Sequence, residues 1–305
     1  MSTPNLVASI KQRLLNLSRQ RNEDFQLVLT HYVIERFLCR LSQSAYSQRF
    51  VLKGAMLFQL WGRQPYRPTR DLDLLGFGDA SVEYLMEAFK EICATPVEPD
   101  GLRFDSSSVC IMEIREPQEY PGQRIQIIVH LGKAKVSLQV DIGFGDVVVP
   151  SIQNVNYPTM LGMRPLIVRA YPKETFVAEK LESIVQLGMA NSRMKDFYDI
   201  WSLTRNFEFE GQRLVEAVRA TFHRRQTELP QDIPIALTQE FGHQPEKNAM
   251  WAAFLRRNGL EATNEIFPEV IQALERFLVP VLSAASSGNT FKSHWPIGGP
   301  WIKIR

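Results

Sequence analysis

Cysteine is scarce in this chain: Cys39, Cys93 and Cys110 lie far apart, are odd in number and form no CxxC pair. That excludes a disulfide framework and a cysteine zinc site, and suits a reducing cytoplasm. The five histidines, at 31, 130, 223, 243 and 294, are scattered without an HExxH motif, so each reads as structural or exposed rather than as a metal ligand. No apolar run approaches the roughly 20 residues that cross a bilayer. The opening stretch MSTPNLVASIKQRLLNLSRQRNEDF carries charge throughout and reads as an amphipathic helix, not a signal peptide. Net charge is nearly absent too, at +2. It permits contact with nucleic acid without demanding it, so any RNA-binding face has to come from a local gathering of basic residues.

A length of 305 residues suits two domains or one elaborated domain, and 45% hydrophobic with 22% charged residues describes a globular protein. Residues 5–46 show helical spacing, in Leu6, Ile10, Leu14 and Leu17 and then in Leu27, Val28, Tyr32, Val33, Phe37 and Leu41. FVLKGAMLFQLWG is apolar with a Lys-Gly interruption. The proline-marked loop RQPYRPT separates it from DLDLLGF, which suits a strand. Residues 81–95 read as a helix capped by Ser81. From 102 to 150, three β-rich runs separated by Pro121-Gly122 and Gly132-Lys133 predict an antiparallel meander. After 172 the pattern is helical, over 173–189, KDFYDIWSLTRNF, 211–227, 247–258 and 266–284, and the Gly/Ser/Pro-rich tail reads as irregular. The expected layout is a mixed α/β domain over 1–170, a helical domain over 171–284 that completes the active site, and a tail over 285–305.

Asp71 and Asp73 fall on the predicted strand DLDLLGF, and side chains two apart on a strand share a face. Two carboxylates there can hold one or two hard cations through oxygen, and Mg²⁺ completes its shell with water and substrate phosphates. Asp141, in the alternating run VSLQVDIGFGD, joins them if its strand is a neighbour. Solvated aspartates at strand ends are the ordinary alternative, but Leu72, Leu74, Val140 and Ile142 around these acids make unpartnered charge costly. Upstream, Lys53-Gly54-Ala55 ends an apolar segment with small residues that let backbone N–H groups approach a phosphate. Arg67 and Arg70, around Thr69, either neutralise phosphate or pair with the aspartates.

A second cluster comprises Glu174, Glu179, Lys180, Arg193, Lys195, Asp196 and Asp199. Lys180 sits among Val177, Leu181 and Ile184. Either its stem packs on the core while its ammonium reaches a cleft, or it forms an i,i+4 helix pair. Asp196 and Asp199 either act chemically or pair with Arg193 and Lys195. His223-Arg224-Arg225 and Arg256-Arg257 suit RNA phosphates or simply solvated helix faces. Trp251 reads as core, whereas Trp295 and Trp301 either stack bases or dock on the domain surface.

In order and spacing, FVLKGAMLFQLWG, RPTRDLDLLGFG, VSLQVDIGFGD, ETFVAEKLESIVQLG and NSRMKDFYDIW resemble the AbiEii/AbiGii nucleotidyltransferase toxin family, which includes the MenT toxins. The resemblance spans about 25–205 and extends into PEKNAMWAAFLRRNGLE. It implies a DNA polymerase β-like nucleotidyltransferase core with a mixed or antiparallel sheet. The R-x-[ST]-x-D-x-D motif falls on Thr69, Asp71 and Asp73, the helix lysine on Lys180, the R-x-KD aspartate on Asp196, and the phosphate-loop motif on Lys53 and Gly54. Two features depart from nucleotidyltransferases at large: Ala55 lacks the hydroxyl many carry there, and the Gly54–Asp71 interval is long, although it suits this family. The implied activity is transfer of a nucleoside monophosphate from an NTP to an acceptor, such as a tRNA 3′ end, by a cytoplasmic toxin with a cognate antitoxin. Asp71 and Asp73 are then the metal ligands for Mg²⁺, and Asp141, if its strand is a neighbour, positions or deprotonates the acceptor hydroxyl and joins them as ligand of a second ion. Lys180 and Asp196 complete the catalytic set, and Lys53, Gly54, Thr69, Arg70, Arg193 and Lys195 bind nucleotide. The alternative acceptor is a protein hydroxyl or a small molecule such as an antibiotic.

Overall fold

The computed structural model describes residues 3–62, 67–114, 122–261 and 265–304. Pro121, part of one expected turn, and residues 63–66 of the RQPYRPT loop lie outside them. The chain forms two compact units, one of Met1–Gly62, Pro68–Gly145 and Gln153–Ala170, the other of Arg63–Arg67, Asp146–Ile152 and Tyr171–Arg305. Arg67 and the segment 146–152 group with the second unit.

The first unit opens with α1 (Thr3–Arg21) and α2 (Phe25–Gln43). Asp24 caps α2 by accepting from the Leu27 amide at 3.0 Å, which satisfies one of the orphan donors of the first turn. From His31 to Leu41 the whole of α2 is buried, including Glu35, Arg36 and Arg40. Asp100 makes that burial tolerable: Arg36 Nε and Arg40 Nη1 donate to it at 3.2 and 2.6 Å. There follow β1 (Phe50–Lys53), a 3₁₀ turn (Gly54–Met56), α3 (Leu57–Trp61), β2 (Asp71–Gly76) and α4 (Val82–Ala94). Ser81 caps α4 as expected, accepting from the Tyr84 amide. Strands β3 (Leu102–Ile114), β4 (Gly122–Leu131) and β5 (Ala134–Phe144) form the antiparallel meander, and β6 (Gln153–Tyr157) and β7 (Leu166–Ala170) complete the unit.

These strands form a mixed sheet in the order β3-β4-β5-β2-β1-β7-β6, parallel at β2–β5 and β1–β7 and antiparallel elsewhere. Helix α2 packs on β5 and β7. Strand alternation sorts the side chains: Leu52, Leu72, Leu74, Val140 and Ile142 are buried, and the residues between them turn to the other face. The polar residues of interest are thereby delivered together to the opposite face, next to the buried pair Val51 and Leu75.

The second unit comprises α5 (Lys173–Leu187), α6 (Met194–Asn206), β8 (Phe209–Glu210), α7 (Gly211–Arg224), α8 (Gln239–Gly242), α9 (Pro245–Arg257), α10 (Phe267–Ser287), β9 (Ser293–Trp295) and β10 (Ile302–Lys303). Phe197, Tyr198, Phe241, Trp251 and Phe267 form its aromatic core. The tail departs from the irregular segment expected, because β10, β9 and β8 make a small antiparallel sheet. Indole N–H groups anchor it: Trp295 donates to the Thr204 carbonyl and Trp301 to that of Phe277, both at 2.9 Å. Docking through tryptophan satisfies the polar edge of each ring while burying its face.

Candidate active site

Strand pairing assembles the first group of charged residues. Lys53 on β1 is the register partner of Asp73 on β2, Asp73 that of Asp141 on β5, and Asp141 that of Arg124 on β4. Register partners point to one face, with Cβ atoms about 5 Å apart in neighbouring strands. A row of alternating charge, Lys53, Asp73, Asp141 and Arg124, therefore crosses the middle of the sheet. Asp71, two residues before Asp73, lies on the same face opposite Gln139 and is exposed. The three acids named from sequence thus share one face of two adjacent parallel strands.

Gly54 sits in the turn just after this row, and its φ of +69° is one that side-chain-bearing residues rarely adopt. A Cβ built there would lie 1.9 Å from Asp73 Oδ2 and 2.5 Å from Cγ, so the carboxylate rests directly on the bare Cα. Sequence reasoning justified this glycine by phosphate approach. The structure supplies a second reason, the seat of Asp73 itself.

Asp141 is held from the opposite side. Arg124 Nε and Nη2 each donate to it at 2.8 Å, a two-pronged pairing, and Gln139 Nε2 donates to Oδ2 at 3.3 Å. A carboxylate has about four lone-pair sites; three are taken, and the remaining one is on Oδ1. Arg124 escaped the sequence reading. Its signal was the alternation of GQRIQIIVHL, which places it on the face opposite buried Ile125. Thr69 hydrogen-bonds through its hydroxyl to the Asp71 carbonyl at 3.4 Å, and Arg70 is exposed.

Among the described residues no group of three or more His, Cys, Asp or Glu side chains stands ready as a metal cage. Asp71 and Asp73, as hard oxygen donors on one face, fit an ion such as Mg²⁺, which takes only one or two protein carboxylates. Asp141 fits less directly, since its oxygens already carry Arg124 and Gln139.

The second unit holds its own charged chain. Lys180 Nζ lies 2.6 Å from Asp196 Oδ1 and 2.9 Å from Asp199 Oδ2. Arg193 Nε reaches the other Asp196 oxygen at 2.9 Å, and Arg67 grips Asp199 at 2.8 and 3.1 Å. Lys180 therefore forms its ion pairs with α6, not an i,i+4 salt bridge on its own helix, where it lies over the Phe176 ring at 4.7 Å. Arg67 pairs with Asp199, an aspartate of this second cluster. Both aspartates are buried. Burial opposes ionisation of Asp196, yet the charges of Lys180, Arg193 and Lys195 outweigh it and hold its pKa at about 2. Burial likewise disfavours the Lys180 ammonium, but Asp196 and Asp199 together raise its pKa. Lys195 is exposed.

Arg225, considered above for RNA contact, is instead enclosed by carboxylates: Glu182 at 2.8 Å, Asp146 at 3.2 Å and Glu179 at 3.6 Å. An arginine so committed has little left for a phosphate. His223, Arg224, Arg256 and Arg257 are exposed, and Trp251 is core.

The chain matches the profile of the AbiEii nucleotidyl transferase toxins of type IV toxin–antitoxin systems over residues 36–277. Comparison with curated protein sequences finds no match. Among solved structures, the nucleotidyltransferase toxin MenT4 from Mycobacterium tuberculosis aligns with a TM-score of 0.52 at 14% identity, covering 92% of this chain and 98% of that one. JHP933 from Helicobacter pylori aligns at 0.47 and 13% identity, covering 87% and 91%. Enzymes of this kind use an NTP and a divalent metal ion, and as type IV toxins they are paired with an antitoxin. The sheet, its row of acids and a profile match covering most of the chain lead to one assignment: this protein belongs to the AbiEii family of nucleotidyltransferase toxins.

Proposed function

We propose that this toxin transfers a nucleoside monophosphate from an NTP to RNA, at the 3′ end of a tRNA, with Mg²⁺ as its metal ion. The observation that carries the reading is the register-matched row Lys53, Asp73 and Asp141, with Asp71 on the same face. Asp71 and Asp73 would hold the Mg²⁺, which when bound supplies positive charge to the triphosphate. Lys53, one strand from Asp73, neutralises phosphate oxygens, while Gly54, Thr69 and Arg70 line the nucleotide's approach. Asp141 takes the proton of the acceptor hydroxyl on its remaining Oδ1 lone pair as that oxygen bonds to the α-phosphorus and the bond to pyrophosphate breaks. Arg124 keeps Asp141 aimed.

For the second unit we assign Lys180, fixed by Asp196, together with Arg193 and Lys195 to the binding of nucleotide phosphates, because these cations are gathered around one buried carboxylate. Arg256 and Arg257, exposed at the end of α9, are the basic pair proposed for RNA phosphates. No helix among the described residues is long and apolar enough to cross a membrane.

The test is to incubate each α-labelled NTP with total cellular RNA, protein and small-molecule fractions. The expected result is RNase-sensitive label from one NTP, lost in Asp73→Asn. Label on protein or on a small molecule would transfer the reading to those acceptors. Transfer untouched by Asp73→Asn would reject the site.

A further inference from the structure

His31 is one of five histidines and no part of the charged row, yet it is 3% exposed and bonded through both ring nitrogens. Nε2 lies 2.7 Å from the Thr69 carbonyl oxygen, and Nδ1 lies 3.1 Å from Gln59 Nε2. Gln59 in turn accepts from the Tyr157 hydroxyl at 2.8 Å through its Oε1. Four separate stretches of the first unit meet here: α2, α3, β6 and the segment leading into β2.

The proton positions follow from chemistry alone. A carbonyl oxygen only accepts, so His31 Nε2 carries the hydrogen. The Tyr157 hydroxyl donates to Gln59 Oε1, which turns the amide nitrogen toward His31, and an amide nitrogen only donates. Nδ1 is therefore bare. Both ends demand the same neutral tautomer. Burial lowers the pKa of His31 below its ordinary 6.5, against the raising effect of the Thr69 bond and with help from the Arg21 charge.

We infer that His31 is a positioning residue for the transfer reaction, fixing the backbone at Thr69 so that Asp71, two residues on, is presented at the correct reach. The inference rests on the function proposed above. The same network grips Gln59 on α3, the helix that follows the Lys53-Gly54 turn. One imidazole thus ties the nucleotide-approach turn to the segment bearing the first acid. Thr69 is half-buried and Asp71 is exposed at the start of its strand, just ahead of buried Leu72. A hydrogen bond from a buried ring adds a restraint on the approach to that strand.

A set of three substitutions separates positioning from mere stability. In His31→Gln, the side-chain amide nitrogen falls where Nε2 was and can still donate to Thr69. In His31→Asn, the shorter chain reaches only toward Gln59. In His31→Leu, neither bond survives. For folded protein, verified by circular dichroism and thermal unfolding, we expect kcat to drop about 10- to 100-fold in His31→Leu and His31→Asn, the scale of misplacing a reacting group by about 1 Å. KM for the NTP should move less than about threefold, and His31→Gln should recover most of kcat. Folded His31→Leu with kcat within about twofold of wild type, or equal activity in the Gln and Asn variants, would overturn the inference. A wild-type protein that transfers no nucleotide sinks the proposed function and this inference together. Wild-type transfer lost in Asp73→Asn but indifferent to residue 31 sinks only this one.

Discussion

Substituting Gly54 by alanine should damage the enzyme beyond what its cost to the fold explains. Two costs arise. The first is the left-handed backbone, on the order of 1–2 kcal/mol for a residue bearing a Cβ. The second is specific to this place: the new Cβ would stand 1.9 Å from Asp73 Oδ2, whereas real Cβ contacts essentially never fall under 3.0 Å, so the carboxylate has to retreat by at least about 1 Å. Displacements of that size at a reacting centre cost on the order of 100-fold in rate. Gly62 provides the control. It shares the φ of +69°, and nothing lies within 4 Å of its built Cβ. Gly62→Ala therefore carries the backbone cost alone. Because Asp73 Cβ itself would stand 2.7 Å from the new Cβ, urea unfolding should place Gly54→Ala below Gly62→Ala in stability, and in the folded fraction transfer of label from the preferred α-labelled NTP falls about 100-fold only in Gly54→Ala. Equal activity in the two variants would refute the claim that this glycine exists to seat Asp73.

Three other outcomes are expected. Asp196, whose pKa is held at about 2 against an ordinary 3.8, contributes stability that is complete above pH 3.8 and is lost as pH falls through about 2. The contribution is roughly 2 kcal/mol, and acid titration of Asp196→Asn should lack that step. Glu35 is shifted the other way, raised by burial from 4.5 to about 7 despite the Met160 amide bond. Its contribution is full below pH 4.5 and lost as pH rises through about 7. Glu35→Gln should flatten a slope worth about 3 kcal/mol in denaturant titrations between pH 5 and 8. Arg124→Gln leaves Asp141 without its two-pronged partner; transfer should fall about 10-fold with KM for the NTP little changed, and a KM-dominated loss would place Arg124 at the nucleotide instead.

Much of the first unit could be read directly from sequence because its signals are local. The Ser81 cap, the alternation of DLDLLG and the shared face of Asp71 and Asp73 each depend on a few neighbouring residues. Arg124 was within reach as well. The turn at Gly132-Lys133 leaves Leu131 opposite Ala134, and counting outward from that two-residue turn puts Arg124 opposite Asp141. What stayed hidden depends on pairing between distant segments. The proximity of Lys53 and Asp73 follows from the β1–β2 register, which no local pattern specifies. Arg225 and Asp146 are 79 residues apart, and the Lys180 partners stand on another helix. The tail was misjudged for a related reason. Gly, Ser and Pro argue against regular structure locally, but the indoles of Trp295 and Trp301 supply hydrogen bonds and ring contacts that override composition.

The charged row itself shows why register decides chemistry here. Shifting β2 by one residue against β5 would turn Asp73 into the layer now filled by Leu72 and Leu74, and would set a leucine opposite Asp141. Such a slip is opposed from both neighbours. Leu52, Leu74 and Ile142 bury one face, and on the other Gly54 offers Asp73 a seat that only a residue without Cβ can provide. The apolar pattern that folds the sheet is thus also what aligns its acids. A substitution that merely weakened the core, such as Leu74→Ala, should accordingly reduce stability by about 2–5 kcal/mol and leave transfer by the folded fraction close to wild type, because the register survives while either neighbour still holds it.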